Sequence, residues 1–430
     1  MKSCKFIENS LYIAPNEIRS CCQRFFFEGE IRGDAKLTDL HKGQSPSQID
    51  IKLARKNMLD GIQNDEVKEC KGCPHIYETT DKIEPTSKVK FLSIEQHSIC
   101  NLRCTYCSPV YYGGVKSQYS VTEFIKSLKD KGNLDEIEGV VWGGGEPTID
   151  KSFAEIMKTI EHKINKNIYH RIFTNSVRYN SVLQNYIDKD LVSITTSVDA
   201  GTRELYKKIR GRDKFFNTFE NLNKYSRKKP NRVTVKYILT DENGEIEELK
   251  KFINYCEEYD LYNCCFQLST NYKKEKANLE SLLSIIYLFG ELKKRGFHKI
   301  FLDDHISKRL VDISDEDLKK IKSFLSVNDI ENTIIDQNLK DVIVYGSGEI
   351  VKNMINKTRF FKNLKNVYLI DNDKRKIGNY LTKYKIHSPE ILKNNNNRIL
   401  ITSANHYEEI YSNIFSIQGT TKNIINSLII

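Results

Sequence analysis

Between residues 88 and 270, short apolar β-branched runs alternate with longer amphipathic ones, and nothing else narrows the fold of this chain so far. Strands are expected at Val89–Glu95, Gly139–Trp142, His170–Thr174, Leu191–Ser197, Arg232–Leu239 and Cys264–Leu268. Helical patterns separate them: Val121–Lys131, Ser152–Asn165, Ser181–Asp188, Phe216–Lys228 and Glu245–Tyr259. Such alternation implies parallel strands joined by crossover helices. Six strands fall short of a closed eight-stranded barrel. The expected architecture is therefore α/β, a partial (β/α)6 barrel with its site at the C-terminal ends of the strands.

The flanks differ in composition. Residues 1–87 hold five cysteines and few periodic runs, 88–272 form the alternating region, 273–338 read as a helical, lysine-rich connector, and 339–430 begin a second, shorter α/β pattern. The chain has eleven cysteines, of which eight precede residue 108, and that clustering points to metal chemistry. Disulfides are disfavoured, because the N-terminus lacks the apolar core of a signal peptide and a cytoplasmic location is expected. No run of eighteen apolar residues is present, so no membrane span is expected. The net charge of +10 (67 basic against 57 acidic residues) is mild for this length. It suits anionic substrates and gives no ground for expecting nucleic acid as a partner.

Directly after the first strand comes Cys100-Asn101-Leu102-Arg103-Cys104-Thr105-Tyr106-Cys107, a C-x3-C-x2-C loop. Three thiolates on one loop suit three corners of a cubane iron–sulfur cluster, leaving one iron open. A zinc site completed by His97 is the competing reading of this loop alone. The second strand runs into Gly143-Gly144-Gly145-Glu146-Pro147, where glycines let a ligand's amino group approach the backbone. Together the two motifs resemble the radical S-adenosylmethionine (SAM) superfamily. Phe173-Thr174-Asn175, Ser197-Val198-Asp199-Ala200 and Tyr206-Lys207-Lys208-Ile209-Arg210-Gly211 extend the resemblance.

The resemblance implies a [4Fe–4S] cluster on Cys100, Cys104 and Cys107, with SAM bound to its open iron. It implies SAM contacts from Gly144, Gly145, Glu146, Pro147, Asn175, Ser197 and Arg210, with Arg212 as a substitute for Arg210. Ser176 stands where relatives often have glycine. The implied reaction begins with reduction by flavodoxin or ferredoxin and takes a hydrogen atom from an unactivated carbon of a small-molecule substrate.

Cys4, Cys22, Cys70 and Cys73 resemble the ligand pattern of the superfamily's SPASM or twitch modules, which implies an auxiliary [4Fe–4S] cluster; zinc on the same thiolates stays open. Here the module precedes the barrel, whereas in relatives it follows. Cys21 and Cys22 compete for one ligand place. Cys256, Cys264 and Cys265 read as small buried hydrophobes, with a hydrogen-atom donor role as the alternative.

Near the C-terminus, Gly346-Ser347-Gly348 follows a strand and opens a helix, and Asp371 ends the next strand 23 residues after Gly348. The spacing fits a phosphate held at a helix N-terminus and an acid on a ribose diol. The region resembles small Rossmann-like domains of sugar and surface-polysaccharide enzymes, with NAD, a nucleotide handle on the substrate, or a pure scaffold as the three readings. Its removal is expected to spare SAM cleavage, whose motifs lie in the barrel. The leading expectation is an enzyme acting on a nucleotide-linked metabolite. A peptide-modifying enzyme is the second, and a non-catalytic iron–sulfur or nucleotide-binding protein the third.

Overall fold

The computed structural model describes residues 1–430 except 41–47, 108–112, 162–167, 272, 274–277, 304–305, 307–309, 311–312, 334–338, 404–405, 426 and 429–430. The chain divides into two compact units, one of residues 1–196 with 207–229 and one of residues 197–206 with 230–430.

The first unit is built on strands β1 (Ser10–Ile13), β2 (Glu17–Arg19), β3 (Lys36–Asp39), β4 (Phe91–Ile94), β5 (Gly139–Trp142), β6 (Tyr169–Phe173) and β7 (Ser193–Ser197), ordered β3-β2-β1-β4-β5-β6-β7. From β1 to β7 neighbouring strands are parallel, and β2 and β3 add antiparallel strands at the edge. The sheet thus runs across residue 87: β1 of the cysteine-rich region lies beside the first strand of the alternating region. Buried Arg55 ties them, donating to the carbonyls of Thr86 (2.7 Å), Lys88 (2.7 Å) and Ser10 (3.0 Å).

The sheet has two unlike faces, because side chains alternate along each strand and register partners share a face. Ile94, Trp142, Ile172 and Ile194 are fully buried on one, where Trp142 meets Phe153 of the crossover helix Phe153–Ile160 edge-on at 5.2 Å. The helix Val121–Asp130 has the apolar spacing for the same duty (Val121, Phe124, Ile125, Leu128) and is N-capped by Ser120, whose hydroxyl accepts from the Glu123 N–H at 3.3 Å. On the opposite face the register aligns Arg19, Tyr12, Ser93, Val141, Arg171 and Ser193 in a row.

The second unit contains parallel strands β8 (Val233–Leu239), β9 (Cys265–Thr270) and β10 (Ile300–Leu302), covered by helices Ile246–Glu258 and Leu279–Lys294. Cys256, Cys264 and Cys265 are buried here, as expected of small hydrophobes. A separate sheet holds β11 (Asp341–Tyr345), β12 (Asn366–Ile370), β13 (Tyr384–His387) and β14 (Arg398–Ile401), all parallel and ordered β13-β12-β11-β14, with Tyr380–Leu381 antiparallel at the edge. Val342 and Val344 anchor one of its cores, Ile343 and Tyr345 the other.

The C-terminal sheet is docked within its unit. Tyr407 stacks on Phe301 at 5.1 Å and packs on Cys265, the Leu428 N–H donates to the Thr333 carbonyl (2.7 Å), and Lys293 Nζ donates to Ser427 Oγ (3.1 Å). Removal of residues 339–430, expected to spare SAM cleavage, would also break this docking. A truncated chain would bare Cys265, Phe289 and Phe301 to water. We expect it to aggregate or to unfold well below the full chain in a thermal melt; an unchanged melt would show the docking to be dispensable.

Candidate functional site

The loop after β4 carries Cys100, Cys104 and Cys107, and two neighbouring segments fix its shape. The N–H groups of Arg103 and Thr105 donate to the carbonyls of Arg210 (2.9 Å) and Ile209 (2.8 Å). Gly211, at φ +73°, makes this approach feasible, since a Cβ there would lie 2.4 Å from the Arg103 carbonyl oxygen. The buried Arg210 guanidinium donates to the Tyr106 hydroxyl and lies 5.6 Å from its ring centroid. A hydrogen bond from Cys107 holds the Cys104 thiol well below its ordinary range, at about 6, against the opposing effect of burial and with help from Arg210. Burial pushes the Cys100 thiol up, and the Leu102 N–H bonded to its Sγ (3.4 Å) opposes this. A low thiol beside a buried arginine is the environment of a thiolate ligand. The donor set fits an anionic iron–sulfur cluster on these three residues.

His97 does not complete the set. Its Nδ1 accepts from the Ile99 N–H (3.1 Å) and its Nε2 lies 3.3 Å from Asp150 Oδ2, so both nitrogens are engaged. Among the described residues no three His, Cys, Asp or Glu side chains converge enough to hold a single metal ion.

The glycine loop after β5 is pressed against the cysteine loop. The N–H groups of Gly145 and Glu146 donate to the carbonyls of His97 (3.0 Å) and Ile99 (2.8 Å). Gly144 has φ +84°, and a Cβ on Gly145 would stand 2.1 Å from the Ile99 carbonyl oxygen. With these N–H groups committed, the loop's carbonyl oxygens are what it offers to an amino group. We expect Gly145→Ala to push the two loops apart and abolish SAM binding in equilibrium dialysis; binding at unchanged affinity would contradict this geometry.

Glu146, expected among the SAM contacts, is buried and engaged within the protein. Its Oε1 accepts from Thr148 N (3.2 Å), Thr148 Oγ1 (2.6 Å) and Thr174 Oγ1 (2.7 Å), and its Oε2 accepts from Asn175 N (2.6 Å). Burial pushes the carboxyl up, and these donors oppose the shift. Pro147 opens the short 3-10 turn Pro147–Ile149 that Glu146 caps. The clamp delivers Asn175 to the cysteine loop, where its Nδ2 donates to Asn101 Oδ1 (2.6 Å) and lies 3.6 Å from Cys100 Sγ. Ser176, at the position expected to be glycine, sits at φ +54° and hydrogen-bonds Thr196 Oγ1 at 2.7 Å. Cys100, Cys104, Asn175, Glu146 and Arg210 are thus brought together, while Ser197 belongs to the second unit. Thr174, Thr148 and Asn101 were missed by sequence reasoning; the threonine next to Asn175 was the one available signal.

A second cysteine group forms at Cys4, Cys21, Cys70 and Cys73. Cys4 and Cys70 are buried and packed with Cys21. Burial raises Cys4 to about 11 and Cys70 to about 12, and the other thiols of the group add to both shifts. Cys22, the residue chosen from the sequence, is not in this group. Cys21 packs with Cys4 and Cys70, and Cys22 is not among the residues of that cluster. Cys22 is exposed, and Glu95, just beyond β4, is the charged group that acts most strongly on its thiol.

In the C-terminal sheet, Gly346 (φ +106°) needs its missing side chain, since a Cβ would lie 2.8 Å from Thr402 Oγ1. Gly348 caps the helix Glu349–Lys357, with open space around a Cβ position. Asp371 is taken up locally: Oδ2 accepts from Ser347 N (3.0 Å), Ser347 Oγ (2.5 Å) and Lys376 Nζ (3.1 Å), and Oδ1 from Asp373 N (2.9 Å). Burial works to raise this carboxyl, but these donors outweigh it and hold it below the ordinary range. Thr402 and Ser403, at the end of β14, line a cavity of about 100 Å³ shared with Phe301 and Leu302. Gly346, Gly348 and Asp371 are not among the residues that line it.

Residues 94–253 match the family model of the radical SAM superfamily, and residues 338–425 match the model described as C2185-like, N-terminal. The chain is 31% identical over 137 residues to GTP 3′,8-cyclase of Yersinia pestis, covering 31% of this chain and 41% of that protein. It is 28% identical over 141 residues to the same enzyme of Photorhabdus laumondii, with the same two coverages of 31% and 41%. The chain thus spans about two fifths of the length of these curated relatives. Among solved structures, Streptococcus suis SuiB bound to precursor peptide SuiA matches over 75% of this chain and 78% of that one, at 13% identity and a TM-score of 0.42. The structure of anSMEcpe with bound AdoMet and the Cp18Cys peptide matches over 52% and 64%, at 21% identity and a TM-score of 0.39. Among the described residues no helix is long and apolar enough to cross a membrane.

Proposed function

We propose that this chain, whose residues 94–253 match the radical SAM family model, is an enzyme that starts radical chemistry on a small polar metabolite carrying a nucleotide or other anionic group. The observation that carries the reading is the clamp joining the glycine loop, Asn175 and the cysteine loop through the Glu146 carboxylate. A cluster with bound SAM supplies, on one-electron reduction, a 5′-deoxyadenosyl radical able to take a hydrogen atom from carbon. The chain's own part is to bind and orient. Cys100, Cys104 and Cys107 would hold the cluster, with Arg210 offsetting its negative charge. The carbonyl oxygens of the glycine loop would receive SAM's amino group, and Glu146 keeps both loops in register. Ser197 remains a proposed SAM contact, and the electron donor is proposed to be a flavodoxin or ferredoxin.

The polar substrate class rests on the polar face of the first unit's sheet. Barrel interiors are usually filled by Val, Ile and Leu, yet this face carries Arg19, Tyr12, Ser93, Arg171 and Ser193. Thr195, aligned with Phe173 on the same face, is buried with its hydroxyl lacking a partner among the described residues. The similarity to GTP 3′,8-cyclase agrees with a nucleotide-type substrate. The test is a panel of nucleoside triphosphates, nucleotide sugars and short peptides added to the cluster-loaded protein with SAM and dithionite. Consumption of a nucleotide-type compound matched to 5′-deoxyadenosine release is expected; consumption of peptides alone would replace this substrate class.

For the second group we propose an auxiliary [4Fe–4S] cluster on Cys4, Cys21, Cys70 and Cys73. Each cubane thiolate binds a different iron, so the four need not converge on one point. Their raised thiols mean that cluster assembly releases protons. Cys21→Ala should lower anaerobically reconstituted iron by about four per chain, the content of one cubane, and Cys22→Ala should not. Equal loss in both variants would reject the assignment of Cys21. The C-terminal domain is proposed, on its engaged Asp371, to be a docked Rossmann-like scaffold. Calorimetry of the full chain with nucleotides, comparing wild type with Asp371→Ala, tests this: a signal lost in the variant would restore the nucleotide reading.

A further inference from the structure

The second unit carries two polar side chains where parallel strands usually place apolar ones. Strands of a parallel sheet read as near-continuous Val, Ile and Leu. One face of β8 and β9 obeys this. Val235 and Tyr237 stand beside Phe266 and Leu268, all fully buried. Phe252 meets Tyr237 edge-on at 4.8 Å, and Phe297 meets Phe266 at 4.9 Å. The opposite face departs from it. Lys236, at the centre of the seven-residue β8, is the register partner of Gln267, and both are half-buried. Gln267 Oε1 is buried and lacks a hydrogen-bond partner among the described residues. Buried polar atoms are nearly always satisfied, and an acceptor left without a donor is destabilising. The amide therefore points to a donor that the chain itself does not supply.

The surroundings of this pair are defined. Cys265, two residues before Gln267, and Phe301, its register partner on β10, share its face. Tyr407 packs on both and stacks on Phe301 at 5.1 Å, so the C-terminal domain supplies an apolar floor. Toward the strand ends, Ser269 donates to the Asp303 carboxylate, which also accepts from the Ile306 N–H at 3.1 Å. On the other side, the Val198 N–H donates to the Lys236 carbonyl at 3.0 Å. In a parallel pair this bond sets the preceding residue, Ser197, beside Lys236. Ser197, Lys236 and Gln267 thus form one row of hydroxyl, ammonium and amide, each about 5 Å from the next. We propose that Lys236 and Gln267 bind the substrate, Lys236 taking an anionic oxygen and Gln267 Oε1 accepting from a hydroxyl beside it. The inference rests on the radical SAM reading above, in which Ser197 contacts SAM. Nucleotides, nucleotide sugars and free sugar phosphates share this pairing of a phosphate oxygen with a nearby hydroxyl. A lysine ammonium suits phosphate as a point charge, and its aliphatic stem can lie along the apolar floor.

The test reads binding and needs no turnover. The full chain, loaded with cluster and SAM, is titrated in a calorimeter with GTP, UDP-glucose and ribose 5-phosphate. The compound bound most tightly identifies the source of the phosphate. Lys236→Met should weaken its binding by about tenfold or more, the worth of a hydrogen bond to a charged group. Lys236→Arg keeps the charge and should recover most of that loss. Gln267→Leu should weaken binding by about fivefold, the worth of a neutral hydrogen bond. The same variant should melt at or above the wild-type temperature, because a buried acceptor without a donor is removed. Lower affinity in a protein of equal or greater stability separates a ligand contact from a packing role. Wild-type affinity in both Lys236→Met and Gln267→Leu would overturn the proposal, and so would failure of all three compounds to bind the wild type. Neither result touches the radical SAM reading, which fails instead if the loaded wild type leaves SAM intact under dithionite.

Discussion

Glu146→Ala is expected to be among the most damaging single substitutions in the first unit. Four donors lose their acceptor at once: Thr148 N and Oγ1, Thr174 Oγ1 and Asn175 N. A buried donor left unsatisfied costs about 1–3 kcal/mol. Even with partial relaxation the loss should reach about 3 kcal/mol or more, in the range reserved for broken buried networks. Asn175 would no longer be held against Asn101 and Cys100, so SAM affinity should fall with stability. Glu146→Gln should recover only part, because its amide oxygen can replace Oε1 but its NH2 would then face the Asn175 N–H donor. Denaturant unfolding together with SAM dialysis checks this. A variant with wild-type stability and affinity would mean that the clamp organises nothing.

The second large effect concerns Cys100, Cys104 and Cys107. Alanine at any of them should reduce SAM-dependent 5′-deoxyadenosine release to background, because a cubane on this loop has no spare thiolate. The triple variant should still retain about four irons per chain, the content of one remaining cubane. Iron near zero in the triple variant would place both clusters on this loop or make the second dependent on the first. Persisting release would dismiss the loop as the cluster site.

Much of this was legible because hydrophobic period and motif spacing are local signals. The strand expected at Val89–Glu95 is found at Phe91–Ile94, and that at Gly139–Trp142 is found with the same bounds. What escaped depends on partners distant in sequence. Ser10–Ile13 was read as part of a ligand module, but its neighbour in the sheet, Phe91–Ile94, lies some 80 residues away and no local pattern names it. Ile300–Leu302 has only three residues, too few to show a period. The choice between Cys21 and Cys22 turns on which of them packs with Cys4 and Cys70, and adjacent positions in sequence carry no sign of that. The spacing located Asp371 correctly, but not that Ser347 and Lys376 would occupy its carboxylate. Glu146 was named a SAM contact from its motif; the direction of its side chain, inward to Thr174 and Asn175, comes from the fold.

The central claim is that the cysteine loop and the clamped glycine loop form one SAM-cleaving site. Anaerobic incubation of the cluster-loaded protein with SAM and dithionite, with 5′-deoxyadenosine and methionine quantified, tests it most directly. The account predicts both products in equal amounts, dependent on reductant and absent from Glu146→Ala. A fully loaded protein that binds SAM and, under reduction, leaves it intact would contradict it.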